Sequence, residues 1–265
     1  MFSKLQLVKK YLHYRLTASN GKGHGIHSPF VYDFVRNVLR DKKQYAYYPT
    51  IETARKKLLQ QTAVIEVEDL GAGSAEIRTS KRAVANIAAS SLKRAKYGQL
   101  LYRIVKYYQP KTILELGSSF GISSAYLAAG NANAKVYTME GAAAIAEIAR
   151  KTFERVGLHN IELIEGNFND ILPGLLTKLE TIDLVFIDGN HRKAPTLDYF
   201  RQLKAKSGPG TLLIFDDIHW SREMEEAWAF IQQDPSVTLS IDLFFIGIIG
   251  FSPGINHKQH FKIRF

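Results

Sequence analysis

From Lys111 onward, short apolar runs alternate with segments of helical periodicity, and this alternation constrains the fold more than any other feature of the chain. Seven runs have the length and composition of strands: TILEL (112–116), AKVYTME (134–140), NIELIEG (160–166), IDLVFID (182–188), TLLIFDD (211–217), VTLSIDLFF (237–245) and IGIIGF (246–251). Helical patterns separate the first six, which predicts a parallel sheet covered by helices on both faces. No helix separates the last two, which predicts an antiparallel hairpin at one edge.

The first hundred residues predict helices and connectors instead. They begin with an apolar stripe at roughly helical spacing, formed by Leu5, Leu7, Val8, Leu12 and Leu16. We therefore divide the chain into a helical extension, residues 1–96, and an α/β domain, residues 97–265. The extension is expected to cover an acceptor site or to mediate dimerisation.

Positive charge is concentrated in the same N-terminal part. Residues 1–100 hold 18 Lys and Arg against 7 Asp and Glu, whereas residues 101–265 hold 17 against 18. A basic extension can attract nucleic acid, anionic lipid or an acidic substrate. Because these cations are scattered and lack interleaved aromatic residues, we favour the simpler interpretation of a solvated helical surface.

Two glycine-containing stretches follow apolar runs in the manner of nucleotide-binding loops: VEDLGAGSAE (67–76) and ELGSSFG (115–121). Such a loop needs a strand before it, a helix after it, and a second strand that ends in an acid. The first stretch fails, because a basic segment of helical pattern follows it and no suitable strand comes next; we interpret it as a structural turn. The second passes, because a helix is predicted from Ile122 and the next strand ends at Glu140.

Glu140 lies 25 residues after Glu115, so one βαβ crossover places both carboxylates at the same edge of the sheet. There Glu140 can accept hydrogen bonds from both ribose hydroxyls of an adenosine ligand; the alternative is an acid that only caps the next helix. In a dinucleotide loop a glycine lets the pyrophosphate approach the backbone, but Ser119 and the bulky Phe120 stand there in this chain. An adenosine ligand without a diphosphate, such as S-adenosylmethionine, fits this loop.

These residues resemble the class I S-adenosylmethionine-dependent methyltransferases, over residues 97–252. The ELGSSFG loop, Glu140, EGNF (165–168) and VFIDG (185–189) follow the order and spacing of that family. The resemblance implies a Rossmann-like, seven-stranded, mostly parallel sheet with a C-terminal antiparallel hairpin. It also implies a set of donor-binding residues: Glu115, Gly117, Ser118 and Gly121 around the methionine part, Glu140 at the ribose, Asn167 and Phe168 at the base, and Asp188 as a further member.

Acidic residues follow the fourth and fifth predicted strands. Because these strands end side by side, we expect Asp188, Asp216 and Asp217 to converge as oxygen ligands for Mg²⁺ or a similar divalent cation. This arrangement resembles the metal-dependent O-methyltransferases of the catechol and caffeoyl-CoA type. In catechol-type enzymes a Lys three residues after the first Asp acts as base; here that position holds His191, which we expect to be the catalytic base next to Asp188. Alternatively, Asp216 orients the donor or a loop, and Asp217 caps the following helix. His219 is interpreted as structural.

The acceptor is expected to be a hydroxyl group of a small molecule, which must lose a proton to a base or a metal. The N/D-P-P-Y/F motif typical of N-methylation is replaced by IDGNHRKAP (187–195). Two alternatives stay open: an RNA-associated methyltransferase or binding protein that uses the basic N-terminal helices, and a nicotinamide-dependent dehydrogenase. The missing loop glycine argues against the second.

Composition excludes several classes of site. The chain has no cysteine, which rules out disulfides and thiolate chemistry, and its N-terminus shows no targeting segment. The most apolar window, LFFIGIIGF (243–251), is too short to cross a bilayer as a helix. We therefore expect a cytoplasmic protein with no membrane partner. Nucleic acid is a disfavoured partner, and the sequence is compatible with a homodimer.

Overall fold

The computed structural model describes residues 1–18, 28–69, 78–251 and 258–265. The helices are α1 Lys4–Thr17, α2 Pro29–Phe34 continued by a π-helix Val35–Leu39, α3 Tyr47–Gln60, α4 Val84–Ser91, α5 Ala95–Tyr108, α6 Ile122–Gly130, α7 Ala143–Val156, α8 Phe168–Lys178, α9 Lys193–Lys204 and α10 Arg222–Gln233. The strands are β1 Val64–Asp69, β2 Arg78–Ala83, β3 Thr112–Leu116, β4 Lys135–Glu140, β5 Ile161–Glu165, β6 Leu184–Ile187, β7 Leu212–Asp216, β8 Leu239–Asp242, β9 Ile246–Gly250 and β10 Gln259–Lys262.

The chain forms two compact units. The central unit comprises Lys42–Lys178, and the terminal unit comprises Met1–Asp41 together with Leu179–Phe265. The boundary expected at residue 96 falls inside the central unit; that division concerned the roles of the two parts and stays a prediction. Among the described helices, none combines the length and the apolarity that crossing a membrane requires.

In the central unit, β3, β4 and β5 are parallel neighbours. Every residue of α6 is buried, which explains why its sequence ISSAYLAAG carries no charge. Two glycines allow the close approach of α5 and α6: a Cβ at Gly98 would lie 2.4 Å from the ring of Tyr126, and one at Gly130 would lie 2.7 Å from Val105. The βαβ units predicted from the apolar runs are therefore present.

The central unit also contains a two-stranded antiparallel sheet formed by β1 and β2. The rejected glycine stretch begins within β1, at Val67, and its residues 70–76 lie outside the described part of the chain. The prediction of a helical segment directly after it was wrong in part, because a strand, β2, precedes α4. Pairing with the alternating strand β1 overrides the weak strand propensity of RTSKRA.

In the terminal unit, β6 and β7 are parallel, and β9 pairs antiparallel with both β7 and β8. The predicted hairpin is therefore β8–β9, and the α/β, Rossmann-like, mostly parallel fold with a helical N-terminal region is confirmed. The strand number differs, because β10 adds a strand parallel to β8. Its sequence QHFK carries two polar residues on its exposed face and lacks the apolar run that marked the other strands.

Helix α1 packs within the terminal unit through Tyr14, which is buried together with Ala18 and Phe244. The ring of Tyr11 also contacts Phe244, at a centroid distance of 5.1 Å. These contacts lie on a different face of the helix from most of the apolar stripe noted in the sequence, so the stripe does not form the core.

Candidate functional site

The carboxyl ends of β3, β4 and β5 bring together the three segments predicted to bind the donor. The N–H groups of Gly117 and Ser118, after β3, donate to the carbonyl of Met139 in β4 at 3.1 and 3.0 Å. The N–H of Gly166, after β5, donates to the carbonyl of Glu140 at 3.0 Å. The glycine loop, the acid and the third segment therefore lie side by side at one edge of the central unit, as the crossover argument predicts.

The loop after β3 depends on left-handed backbone conformations. Gly117, Ser119 and Gly121 have φ values of 99°, 46° and 79°. A Cβ at Gly121 would lie 2.4 Å from a ring carbon of Phe153, so both the backbone and the space require glycine here.

The N–H groups of this loop are largely engaged within the protein. Those of Gly117 and Ser118 donate to Met139, that of Ser119 donates to a carboxylate oxygen of Glu140, and that of Gly121 donates to the carbonyl of Ser118. A loop that holds a diphosphate does so with free N–H groups. This loop is therefore poorly suited to a dinucleotide, which agrees with the argument from Ser119 and Phe120.

Two buried polar side chains lie at the base of the loop. Glu115 is fully buried and accepts hydrogen bonds from Thr138, at 2.6 Å, and from the hydroxyl of Ser124. The Oγ atom of Ser118 is buried and makes no hydrogen bond within the described part of the chain. A buried hydroxyl without a partner is costly. A polar ligand at this edge would supply the missing hydrogen bond, so the loop fits a bound donor.

Glu140 holds the loop and the following helix together. Its carboxylate accepts the N–H of Ser119 at 2.9 Å and the N–H of Ala142, which caps α7, at 3.1 Å. Burial raises the pKa of Glu140, and the N–H groups of Ala142, Ser119 and Gly141 oppose that rise. Glu140 therefore contacts the N-terminus of α7, and it also lies where its carboxylate could bind a ribose.

Asn167 and Phe168, predicted to frame the base, lie at the start of α8. The side-chain oxygen of Asn167 accepts the N–H of Asn169 at 3.0 Å, and its carbonyl accepts the N–H of Asp170 at the same distance. Asn167 thus caps α8. Phe168 is half-buried, which leaves part of its ring accessible.

The terminal unit contains a second cluster, at the carboxyl ends of β6 and β7. Asp188 follows β6, Asp216 ends β7, and one ligand atom from each of these and from His191 lie within 4.8 Å of one another. The Nε2 atom of His191 lies 3.5 Å from a carboxylate oxygen of Asp188. Ligands on adjacent corners of an octahedral cation lie about 3 Å apart. A small closing movement would therefore bring the three atoms to bonding distance.

Asp217 is not part of this cluster. The backbone turns left-handed at Asp217, with φ of 53°, and its N–H donates to the carbonyl of Phe245 at 2.6 Å. The backbone carbonyl of Asp217 accepts the N–H of Trp220. The N-cap of α10 is Ser221, whose hydroxyl accepts the N–H of Met224, so Asp217 does not cap this helix. The ligand set expected from the sequence and the set that the structure brings together thus share Asp188 and Asp216 and differ in the third member.

His219 lies between two carboxylates. Its ring nitrogens are 2.9 Å from Glu225 and 2.9 Å from Asp242, and its ring stacks on Phe244 at 5.1 Å. Burial lowers the pKa of His219, but the hydrogen bonds and charges of Asp242 and Glu225 outweigh burial, and the net direction is upward. This network agrees with a structural role.

Sequence reasoning missed two features of these sites. The contact of Phe153 beneath Gly121 has no local sequence signal, because the two residues lie on separate elements. His191 was expected as the base but not as a member of the cation cluster of Asp188, His191 and Asp216; the preceding residue, Asn190, has a left-handed φ of 56°.

Comparison with known proteins agrees with the geometry. Residues 114–218 match the sequence model of a methyltransferase domain family, and this range contains both clusters. The resemblance predicted from the sequence is confirmed. A catechol O-methyltransferase of Niastella koreensis is 34% identical over 124 residues, which are 46% of this chain and 55% of that protein. The chain thus spans about half the length of the curated relatives it matches.

Solved methyltransferase structures share the fold. An O-methyltransferase from Bacillus cereus in complex with SAH aligns with a TM-score of 0.57 at 23% identity, covering 82% of this chain and 96% of that one. The O-methyltransferase TomG from Streptomyces achromogenes, in complex with SAM, aligns with a TM-score of 0.57 at 20% identity, covering 84% and 95%.

Proposed function

We propose that this protein transfers a methyl group from S-adenosylmethionine to a hydroxyl group of a small molecule. This proposal rests on sequence similarity: the segment that contains the candidate residues is similar to catechol O-methyltransferases. The buried hydroxyl of Ser118, which has no hydrogen-bond partner among the described residues, supports it independently, because a bound donor would give that group a partner. A cytoplasmic location, expected from the lack of cysteine, is part of the proposal.

The central unit provides the donor site in this proposal. The carboxylate of Glu140 accepts hydrogen bonds from the ribose hydroxyls, and the loop from Gly117 to Gly121 lies against the methionine part. Phe168 packs on the base. The N–H groups already bound to Glu140 fix the carboxylate in place, so little ordering is needed when the donor binds.

The reaction itself is an in-line displacement. The bond between the methyl carbon and the sulfonium sulfur breaks while a bond to the acceptor oxygen forms, and the sulfur leaves as a neutral thioether. The hydroxyl proton must go to a base. Holding donor and acceptor in line supplies much of the rate.

The terminal unit provides the acceptor chemistry, through Asp188, His191 and Asp216. A divalent cation bound there would lower the pKa of the acceptor hydroxyl. Two carboxylates and an imidazole suit Mn²⁺ or Zn²⁺ better than Mg²⁺, which prefers oxygen ligands alone. His191 cannot ligate a cation and accept the proton through the same nitrogen, and the 3.5 Å approach of its Nε2 to Asp188 favours the ligand role.

Calorimetry with S-adenosylhomocysteine and with NAD tests the donor site. We expect binding of the first and none of the second; the reverse result would replace the methyltransferase by a dehydrogenase. Transfer of labelled methyl to a panel of hydroxylated aromatics and sugars, with Mn²⁺, Mg²⁺ or excess chelator, tests the acceptor side. Turnover that is unchanged in chelator would remove the cation from the proposal and leave His191 as the base.

A further inference from the structure

Helix α1 has two apolar faces, and within the described part of the chain only one of them packs against other residues. Tyr14 and Ala18 are buried, and Leu7 and Tyr11 are half-buried; these four residues recur at helical spacing and form the inner face. The rest of the stripe seen in the sequence forms an outer face. Its members are exposed by 65% at Leu5, 54% at Val8, 57% at Leu12 and 81% at Leu16.

This outer face is unusual for a helix on the surface of a soluble domain, which is normally polar on the side away from the core. Single exposed leucines are common, but four large aliphatic side chains aligned on one helix form a contiguous patch. At a rise of about 1.5 Å per residue, the stripe from Leu5 to Leu16 extends over roughly 17 Å.

Basic residues flank the outer face on both sides. With a turn of 100° per residue, Lys4 and Arg15 fall along one side of the stripe, and Lys9 and His13 fall along the other. The helix contains no acidic residue. An apolar stripe flanked by basic residues is the pattern of helices that lie in the interface of an anionic membrane.

A cavity of about 340 Å³ adjoins the helix on the side of Lys9 and His13, with Lys262 of β10 also in its lining. The acids of this cavity are engaged within the protein: Glu225 binds Lys10 and His219, and Asp242 binds His219.

Within the described part of the chain, Lys9, His13 and Lys262 make no hydrogen bond or ion pair through their side chains, so the unbalanced charge at the cavity is positive. A phosphate group is the kind of ligand that such a cavity would take.

We propose that α1 docks this protein on an anionic phospholipid surface, with the outer face in the acyl boundary and the cavity cations on lipid phosphates. The expectation of no membrane partner, which rested on the lack of a spanning segment, does not extend to this mode of binding. A second copy of the chain fits less well, because pairing two α1 helices, parallel or antiparallel, brings cations against cations. A coiled-coil partner fits less well too, since the seam through Leu5, Val8 and Leu12 continues at Arg15 rather than at Leu16.

Co-sedimentation of the full chain with vesicles tests the proposal. We expect binding to vesicles of mixed phosphatidylglycerol and phosphatidylcholine at low salt, and little binding to phosphatidylcholine alone. The double variant Leu12→Ser, Leu16→Ser should bind about tenfold or more weakly because it loses apolar burial. Leu59→Ser is the matched control, since Leu59 is a leucine of α3 exposed by 41%, and it should bind as the unchanged protein does.

A second pair of variants tests the cavity. Lys9→Gln with Lys262→Gln should weaken binding by about tenfold or more and reduce its salt dependence, since each cation near the surface contributes about 1 kcal/mol. Lys56→Gln with Lys57→Gln, two exposed positions of α3, removes the same charge elsewhere and should have a smaller effect.

Four outcomes overturn the proposal. The first three are no binding to anionic vesicles at low salt, equal binding by the leucine variant, and equal binding to neutral vesicles. A fourth is a dimer in vesicle-free solution that the leucine variant converts to a monomer, because a second copy would then cover the stripe. Unchanged melting temperatures of the variants are expected, since all the substituted side chains are exposed.

Discussion

Among single residues, Gly121 bears most directly on the donor site. Substitution by Ala places a Cβ 2.4 Å from the ring of Phe153 in a backbone with φ of 79°. We expect Gly121→Ala to lower the affinity for S-adenosylhomocysteine by about tenfold or more, because the loop must shift, and to lower the melting temperature. Calorimetry and thermal unfolding measure the two effects.

Gly157 provides the control for Gly121. Its φ of 75° is nearly the same, but a Cβ there would have no atom within 4 Å. Gly157→Ala should therefore lower the free energy of unfolding by only about 1–2 kcal/mol, the strain of an alanine in a left-handed backbone conformation. It should leave the affinity for S-adenosylhomocysteine unchanged. Equal loss of affinity in both variants would show that global destabilisation, and not the loop, is responsible.

The partly buried network around His219 makes stability depend on pH. Because Asp242 and Glu225 raise the pKa of His219 above its ordinary value of 6.5, the folded protein holds the proton more tightly than the unfolded chain does. The stabilisation is fully present below the unfolded pKa and is lost as pH rises through the folded pKa. His219→Gln should therefore lower the free energy of unfolding more at pH 5.5 than at pH 9, and the difference between the two losses should be about 1–3 kcal/mol.

Urea unfolding of the unchanged protein and of His219→Gln at the two pH values measures this difference. His159→Gln is the control, because no ion pair involving His159 is present in the described structure. A cost of His219→Gln that is the same at both pH values would mean that the charge of the imidazolium does not contribute, and that packing on Phe244 accounts for the whole effect.

At the scale of elements, the contact between α5 and α6 depends on a missing side chain. The Tyr126 ring against Gly98 cannot easily yield, because its hydroxyl donates to Glu52 at 2.7 Å and Glu52 is in turn held by Arg55 at 3.0 Å. Gly98→Ala should therefore destabilise the protein by about 1–3 kcal/mol through overpacking.

A Gly-to-Ala substitution in α8 should instead raise the stability of the protein. Gly174 lies inside that helix, a Cβ there would have no atom within 4 Å, and its φ is not left-handed. Gly174→Ala should stabilise the protein by about 0.5–1 kcal/mol, because alanine loses less backbone entropy in a helix. Denaturant unfolding of both variants tests the pair, and two changes of the same sign would contradict the packing argument.

Elements were predictable from the sequence where burial leaves a pattern. The strands β3, β6 and β7 appear as apolar runs because both faces of the parallel sheet are covered there, and β8 and β9 are fully buried as well. Strand β10 was missed because its exposed face carries His260 and Lys262. For α1, both faces are apolar, and periodicity alone does not say which one meets the core.

The candidate site likewise has parts that were predictable from the sequence and parts that were not. Glycine spacing and the strand-end acid predicted the loop from Gly117 to Gly121 and the place of Glu140, because topology fixes which strand ends are neighbours. The third member of the cation cluster depended on a turn at Asn190, and the place of Asp217 depended on a left-handed residue directly after β7. Such turns are set by tertiary contacts, which leave no periodicity in the sequence.

For the whole molecule, the two candidate binding sites belong to different compact units. The expected donor residues from Glu115 to Phe168 lie in Lys42–Lys178, whereas Asp188, expected in both sets, lies with the other residues of the cation cluster in Leu179–Phe265. If each unit supplies its own ligand contacts, the effects of substitutions in the two sites on binding should be independent. The proposed methyl transfer uses both sites, so turnover should fall whichever site is changed.

Two substitutions test this independence. Glu140→Gln should weaken S-adenosylhomocysteine binding by about 10- to 100-fold, since hydrogen bonds to a charged group contribute about 1.5–3 kcal/mol, and should leave Mn²⁺ binding unchanged. Asp216→Asn should do the reverse. Glu154→Gln and Asp198→Asn carry the same chemical changes at other positions and should alter neither. Calorimetry with each ligand alone gives the four affinities. Loss of both ligands in either variant would mean that the two sites are one coupled centre, and the assignment of separate donor and cation residues would then be wrong.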